Sequence, residues 1–398
     1  MGLAEWQLNI SLNCLSCRRM MLLVYITTGL LLLYGVLLLY YHNGWQQLPA
    51  FDAGSLNGYT PALSISVIIP ARNEEANIGH CLSSLLQQDY PAALLEIIVV
   101  NDHSTDTTAE IVQSFSPRVR LISLQYDAGQ PVKAPKKRAI EKGIAAATGQ
   151  WIVTTDADCV AGPSWIGSLA AYRFAHPSLF IAAPVKIKDE GSLLAKFQAL
   201  DFLTMQGITG ASVYRRLHNM CNGANLAYER QTFYEVNGFD GIDNIASGDD
   251  MLLMHKIAQQ HPLQTAFIKS REAIVTTLPA ASWRDFFQQR IRWASKATHY
   301  KSPKLFLVLL LVYLTNLGIL ATGLLGFFYP LAAICFGGFW LGKFLLEVFF
   351  VKDAAAFFNQ QYLLPYLLLL QPLHMVYIVI SGFFGQFKTY QWKGRKLK

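Results

Sequence analysis

The chain has 398 residues, of which 53% are hydrophobic and only 15% are charged, and its formal net charge is +7. Soluble domains carry about a quarter charged residues, so this composition excludes an ordinary soluble protein as a description of the whole chain. Six cysteines are too few for a disulfide framework at this length. The apolar excess lies at the two ends, and the middle resembles a normal soluble domain.

The first apolar segment is predicted to be a retained membrane anchor. After an N-terminal segment over residues 1–19, no Asp, Glu, Lys or Arg occurs from Met20 to Tyr41. A helix of this length crosses the roughly 30 Å hydrocarbon layer of a bilayer. No small-residue cleavage site follows, which favours a retained anchor over residues 20–42 rather than a cleaved signal peptide.

The middle of the chain, residues 60–280, alternates predicted strands with predicted helices. Short apolar runs rich in β-branched residues predict strands over residues 64–69, 95–100, 119–124 and 151–155. Apolar residues at helical spacing predict helices over residues 73–88, 104–114 and 136–147. This alternation predicts an α/β fold with a parallel sheet covered by helices, in which ligands bind at the carboxyl ends of the strands.

Acid-bearing loops follow three of these strands, over residues 70–74, 101–106 and 156–158. In extended chain, Asp156 and Asp158 point the same way, so two hard oxygen ligands can reach one Mg²⁺ or Mn²⁺. Such a cation would bridge the phosphates of a nucleotide sugar. An isolated Asp-x-Asp is usually solvated surface, but its position after a buried strand favours the metal site. No glycine-rich phosphate motif occurs, which argues against a dinucleotide dehydrogenase or a P-loop kinase.

Two later helical segments each have two interpretations. Asp250 stands at the start of an amphipathic helix, where it either caps the helix or accepts a proton from an acceptor hydroxyl. The apolar stretch from Leu193 to Leu217 fits a buried core helix and a helix lying on the bilayer equally well.

A basic, aromatic helix is predicted within residues 281–302, immediately before the next apolar segment. Trp and Arg are typical of interfacial anchors, which is one explanation of Gln289–Trp293. In the other, Arg292 contacts a diphosphate and Trp293 stacks on an acceptor sugar.

Residues 303–387 are predicted to contain two or three membrane segments. Tyr329-Pro330 separates spans near residues 305–328 and 331–351, and Lys343 and Glu347 are spaced to pair on one helix face. Prolines leave open whether the last apolar run crosses the bilayer or lies in the interface.

The predicted number of membrane crossings conflicts with the distribution of basic residues. With a cytoplasmic middle domain, three later crossings would place the basic tail, residues 388–398, outside, against the positive-inside tendency. Attraction to anionic headgroups explains the position of the basic residues better than nucleic-acid binding does.

These motifs together resemble the family 2 glycosyltransferases, in particular the membrane branch with cellulose, chitin, hyaluronan and poly-N-acetylglucosamine synthases and ceramide glucosyltransferase. The matching segments occur in family order, at Val67–Glu74, Val99–Asp106, Lys136–Ile140, Thr155–Asp158, Asn222–Asn225, Gly238–Asp240, Gly248–Asp250 and Gln289–Trp293. The resemblance covers about residues 64 to 295 and implies the GT-A fold.

The resemblance also implies a role for each matched residue. The nucleotide-binding residues would be Pro70, Arg72, Glu74 and Asp102. Lys136 would approach the donor phosphates, Asp156 and Asp158 would hold the metal, and Asp250 would be the catalytic base. The acceptor and diphosphate element would be Gln289, Arg292 and Trp293. Asp249 replaces the glutamate more usual in the family, and Pro135 replaces a glycine.

The implied activity is an inverting transfer of a sugar from a nucleotide-diphosphate donor to a membrane-proximal acceptor, either a polysaccharide or a lipid, with Mg²⁺ or Mn²⁺ as cofactor. The protein would be integral to the cell or inner membrane, with its catalytic domain cytoplasmic and no nucleic-acid partner. The alternative is a catalytically silent membrane partner or scaffold that keeps the fold. It predicts broken acid positions, whereas Asp102, Asp156, Asp158 and Asp250 are all present.

Overall fold

A computed structural model describes residues 3–56, 58–125, 134–243, 245, 247–296, 302–387, 390–392 and 395–397, with side-chain surroundings from Arg18 to Phe387. The helices are α1 (Leu3–Gln47), α2 (Ile78–Leu86), α3 (Thr108–Gln113), α4 (Pro135–Ala146), α5 (Trp165–Ala175), α6 (Leu193–Arg215), α7 (Arg230–Glu235), α8 (Met251–Gln260), α9 (Trp283–Ala294), α10 (Pro303–Leu325), α11 (Pro330–Phe357) and α12 (Tyr366–Gly385). The strands are β1 (Ile65–Ala71), β2 (Leu95–Asn101), β3 (Arg120–Ser123), β4 (Trp151–Thr154), β5 (Val160–Ala161), β6 (Phe180–Ala182), β7 (Val185–Ile187), β8 (Leu226–Glu229), β9 (Thr265–Phe267), β10 (Val275–Thr277), β11 (Tyr390–Trp392) and β12 (Arg395–Leu397).

The main sheet has the strand order β3-β2-β1-β4-β8-β6-β9. The strands β1 to β4 are mutually parallel, so the predicted parallel arrangement is confirmed for this part of the sheet. The next strand, β8, runs antiparallel to both of its neighbours, and β6 pairs in parallel with β9. A mixed sheet results, because β8 enters between β4 and β6 from a distant part of the sequence.

The sheet is buried on both faces, as its continuous apolar strands require. Val67, Ile68 and Ile69 of β1 have no exposed surface. On one face α4 lies close to the strands at Gly143, where an added Cβ would come within 2.4 Å of Ile68 Cγ2. Glycine at this position therefore allows the close packing of α4 on the sheet.

The helix α6 joins the α/β domain to the membrane helices. It packs against α1, α11 and α12, and most of its side chains are buried. Gly207 fits against Phe350 and Ala354 of α11. The structure therefore favours the core-helix interpretation of this apolar stretch over that of a helix lying freely on the bilayer.

Four described helices are long and apolar enough to cross a membrane: α1 from Arg18 to Gln47, α10, α11 and α12. The predicted break at Tyr329-Pro330 is correct, since Tyr329 is the N-cap of α11. Lys343 and Glu347 pair as predicted, with 2.5 Å between Nζ and Oε1. The side chains of Tyr34 and Gln371 also bond to Glu347, so three helices share this buried polar cluster.

The two ends of α12 contact α6 and α9. At its start, Lys196 Nζ of α6 lies 5.6 Å from the centre of the Tyr366 ring. At its end, Gly385 packs on α9 so closely that an added Cβ would lie 2.7 Å from Ala294 Cβ. Tyr377, between them, donates a hydrogen bond to Asp201 of α6. Thus α12 lies along α6 and α9.

Candidate active site

The loops that follow β1, β2 and β4 meet at one edge of the sheet and line a single cavity of about 920 Å³. Its wall also includes the start of α8 and one face of α9. Every residue predicted for the site lies in this wall: Pro70, Arg72, Glu74, Asp102, Lys136, Asp156, Asp158, Asp250, Gln289, Arg292 and Trp293. The structure therefore brings these residues together, and their individual roles stay predictions.

Hydrogen bonds connect the loops after β1 and β2. Arg72 Nη1 donates to the carbonyl oxygens of Asp102 and His103, at 2.7 and 3.0 Å. Asn73, with a φ of +50°, donates from its backbone to Ser104 Oγ at 3.0 Å. These contacts hold the residues before both helices in turns, and α2 and α3 begin at Ile78 and Thr108, later than the apolar pattern predicts. The loops thereby provide a fixed, polar wall for the cavity.

Lys136 lies between acids from two separate loops. Its Nζ is 2.7 Å from Asp156 Oδ1 and 3.2 Å from Asp249 Oδ2. Burial alone would lower the pKa of Lys136, but the two neighbouring carboxylates raise that pKa above its ordinary value. Burial likewise opposes ionisation of Asp249, whereas Lys136, Lys296 and Lys137 lower its pKa. The ammonium group thus holds the loop after β4 and the start of α8 together.

Asp250 caps α8 and faces the same cavity. Its Oδ1 accepts a hydrogen bond from Met251 N at 2.7 Å, and its Oδ2 accepts one from Gly223 N at 3.1 Å. Lys296 Nζ is 3.6 Å from Oδ1. A carboxylate has about four lone-pair positions, so these contacts leave room for an acceptor hydroxyl. Asp250 therefore caps the helix, as one interpretation predicts. The same contacts are compatible with the other interpretation, in which Asp250 is the catalytic base.

The segment before α8 is fixed by a lysine that sequence reasoning did not assign. Lys137 is buried, and its Nζ donates to the carbonyl oxygens of Ile242, Ile245 and Ser247 at 2.7, 2.8 and 3.0 Å. Lys136 and Lys137 are adjacent on α4, so one helix end positions both the loop before α8 and the acids at its start.

The helix α9 presents Gln289, Arg292 and Trp293 to the cavity, and its buried Arg290 contributes to the same wall. Arg290 Nη2 is 2.8 Å from Asp201 Oδ2, and its guanidinium lies 4.3 Å from the centre of the Trp293 ring. Trp293 also packs on Phe202, with 6.2 Å between ring centres. Arg290 and Phe202 therefore fix the position of the Trp293 ring. Trp293 lies in the cavity wall, unlike a purely membrane-facing anchor.

The carboxylates at the sheet edge supply only some of the ligands that a divalent cation needs. Among the described residues, no group of three or more His, Cys, Asp or Glu side chains is placed to hold a metal ion. Asp156 and Asp158 supply two hard carboxylates on one wall of the cavity. Mg²⁺ is commonly bound by one or two carboxylates together with substrate phosphates. The pair therefore fits a cation whose remaining ligands come from a bound diphosphate.

Two further residues at the site, Lys296 and Gly223, were not predicted from the sequence. Lys296 was assigned only to the membrane edge, although its position three residues after Trp293 places it near the same helix face. Gly223 lies in a matched segment without a predicted role. An added Cβ there would lie 3.0 Å from Asp249 Oδ2 and 3.2 Å from Lys136 Nζ. Glycine at this position accommodates the cluster of charges beside it.

Comparison with known proteins agrees with this arrangement. The chain has a GT-A-like fold with a mixed α/β sheet. Residues 66–236 match the family described as Glycosyl transferase family 2, so the chain contains a family 2 glycosyltransferase domain. The resemblance inferred from the motifs is confirmed.

The chain is similar to two bacterial proteins over part of its length. It is 26% identical over 245 residues to the probable glycosyltransferase YdaM of Bacillus subtilis, covering 58% of this chain and 54% of YdaM. It is 25% identical over 234 residues to the poly-beta-1,6-N-acetyl-D-glucosamine synthase of Staphylococcus epidermidis, covering 58% of this chain and 53% of the synthase. The chain thus spans about half the length of the curated relatives it matches.

Among solved structures, the mannosyltransferase PcManGT from Pyrobaculum calidifontis, in complex with GDP-Man and Mn²⁺, superimposes with a TM-score of 0.57. The match has 21% sequence identity and covers 89% of this chain and 97% of that one. This similarity confirms the GT-A fold predicted from the motifs.

Proposed function

We propose that the chain is an inverting glycosyltransferase that moves a sugar from a nucleotide-diphosphate donor to an acceptor at the membrane. The observation that supports this most strongly is the single cavity shared by the three sheet-edge loops, Asp250 and the α9 residues. The solved mannosyltransferase contains GDP-Man and Mn²⁺, which supports a nucleotide-sugar donor and a divalent cation here.

The donor would lie along the carboxyl ends of β1, β2 and β4. Pro70, Arg72, Glu74 and Asp102 would contact the nucleoside, since they belong to the cross-linked loops at one end of the cavity. Asp156 and Asp158 would hold the cation with the diphosphate, and that cation, when bound, neutralises charge on the departing nucleoside diphosphate. Lys136 already lies 2.7 Å from Asp156, within reach of the same phosphates.

The acceptor would approach from the α9 side. Asp250 would take the proton of the acceptor hydroxyl as that oxygen forms a bond to the anomeric carbon. The bond between the anomeric carbon and the diphosphate oxygen breaks on the opposite face, so the sugar inverts and the nucleoside diphosphate leaves with the electron pair. Gln289, Arg292 and Trp293 would orient the acceptor and the diphosphate.

The test is nucleotide release from a panel of UDP- and GDP-sugars by the purified full-length protein, with and without Mn²⁺ or Mg²⁺. We expect metal-dependent release from one donor and its loss in Asp158→Ala. Glu110→Ala, which removes an exposed acid of the same domain outside the cavity, serves as the matched control. Release from no donor by a folded protein would contradict the proposal and favour the silent scaffold.

A further inference from the structure

The cavity continues from the charged site into an apolar wall between two helices of the membrane part. On the α10 side the wall contains Leu305, Leu309 and Leu310, and on the α12 side it contains Ile378, Gly382 and Phe383. The α10 residues recur at helical spacing and occupy one face of the helix. From Leu305 to Tyr313 this face extends about 12 Å along the helix axis. The charged half and the apolar half are parts of one space.

The two helices meet at one point of this wall, while other side chains of the wall are exposed. At Gly382 they touch, since an added Cβ would lie 2.7 Å from Tyr313 Cδ2. On α10, Leu309 and Leu310 are 38% and 39% exposed. Because α10 is long and apolar enough to span a bilayer, these exposed side chains would lie against lipid tails. The opening would therefore connect the cavity to the hydrocarbon layer.

The chemistry of this wall suits a hydrocarbon chain and not a sugar chain. Sugars present hydroxyl groups, and their burial requires hydrogen-bonding partners. The wall between α10 and α12 offers mainly aliphatic and aromatic carbon. The polar side chains in this part of the wall include Tyr313, Ser381 and Gln386. Of these, the Ser381 hydroxyl is buried and has no hydrogen-bond partner among the described residues. It can bond to an oxygen near the junction of a lipid head and its tail.

We propose that the acceptor is a lipid with a hydroxyl-bearing head, whose tail occupies the space between α10 and α12. This rests on the proposed glycosyltransferase function. The head hydroxyl lies towards Asp250, and the tail leaves the cavity through the opening beside Leu310. A hydroxyl head is favoured over a phosphate head because a phosphate is already ionised near neutral pH and needs no base such as Asp250.

The experiment uses methyl, hexyl and decyl glucosides as acceptors for the full-length protein in nanodiscs, with the donor panel and Mn²⁺. We expect kcat/KM to rise at least about tenfold from the methyl to the decyl glucoside, since each buried methylene adds to binding. Leu310→Trp, which fills the space, should remove this dependence on chain length. Leu307→Trp, on the same helix, 61% exposed and outside the cavity wall, should preserve it and so corrects for partitioning into the bilayer.

A second readout does not depend on turnover. A decyl glucoside with a diazirine at the end of its tail should label α10 and α12, and the labelling should fall in Leu310→Trp but not in Leu307→Trp. Equal transfer to all three glucosides, or labelling spread over the other membrane helices, would overturn the lipid assignment. Absence of metal-dependent nucleotide release from every donor would instead contradict the proposed function, while the labelling would still report on the tail site.

Discussion

At the scale of single residues, Asp250 is the N-cap of α8 and is also the proposed catalytic base. Its carboxylate accepts a hydrogen bond from Met251 N, which stabilises the start of α8. The same carboxylate faces the cavity where an acceptor substrate would bind. Asp250→Asn keeps one oxygen, which can accept from Met251 N or from Gly223 N, but removes the proton acceptor. We therefore expect the rate of sugar transfer to fall by about 10²–10⁴, with the affinity for the nucleotide nearly unchanged.

The measurement is a pair of assays on the same preparation, transfer rate and nucleotide affinity by calorimetry, with a thermal unfolding curve beside them. Glu110→Gln, which changes an exposed acid on α3 outside the cavity, is the matched control. If Asp250→Asn unfolded at a much lower temperature while keeping its specific activity, the residue would be a helix cap alone.

A second prediction at this scale concerns acid sensitivity. His218 is buried where α6 meets α1, and its Nε2 lies 2.8 Å from the Tyr41 hydroxyl and 3.2 Å from Ser212 Oγ. Burial, with a smaller contribution from His255, lowers the pKa of His218 to about 4. The unfolded chain therefore takes up a proton near pH 6.5, whereas the folded chain does so only near pH 4.

The contribution of His218 to the free energy of unfolding is consequently present above about pH 6.5 and is lost as the pH drops towards 4. For His218 alone, the free energy of unfolding should decrease by about 2 kcal/mol between pH 7 and pH 5. Thermal unfolding at both pH values should show a smaller acid shift for His218→Gln than for the wild type. His80→Gln, which removes an exposed histidine on α2, should behave as the wild type does. An unchanged acid shift in His218→Gln would refute the assignment.

At the scale of secondary structure, the strands and their loops could be predicted, whereas the partners of the charged groups could not. Continuous β-branched runs predict β1 and β2 because strands buried on both faces need apolar residues throughout. The contacts of Lys136 join residues 136, 156 and 249, which no local pattern relates. Likewise, the antiparallel insertion of β8 depends on tertiary pairing and not on its four residues.

The buried pair between α6 and α9 provides a prediction at the same scale. Arg290 and Asp201 have side chains only 3% exposed, and Tyr377 of α12 also bonds to Asp201. Arg290→Met leaves a buried carboxylate without its cation, so we expect a loss of about 3–5 kcal/mol in the free energy of unfolding. Adding Asp201→Asn removes the uncompensated charge and should recover part of that loss.

The measurement is a double-mutant cycle by chemical unfolding in detergent, together with the KM for the acceptor, because Arg290 also supports the Trp293 ring. A coupling energy near zero, with the double variant as unstable as the sum of the single variants, would show that the two residues act independently.

At the scale of the whole molecule, the contacts of α12 bear on the membrane topology. The end of α1 and the end of α11 meet the α/β domain, at Lys269 Nζ to Trp45 O (2.7 Å) and at Gly207 against Ala354. Next to them, α12 lies along α6 and α9 with both of its ends on that same side. A helix that crosses the bilayer would have its ends on opposite sides. We therefore expect α1, α10 and α11 to cross and α12 to lie within one leaflet.

This arrangement removes the conflict with the positive-inside tendency for the basic tail, which then lies on the side of the α/β domain, whereas Arg18 and Arg19 before the first span stay on the other side. A reporter pair whose activity depends on the side of the membrane gives a direct test when fused at the C-terminus and, separately, inserted between Phe327 and Phe328 of the exposed α10–α11 turn. With only α11 crossing between them, the two reporters must lie on opposite sides. Reporters on the same side would mean that α12 crosses as well, and the basic tail would then lie across the membrane from the catalytic domain.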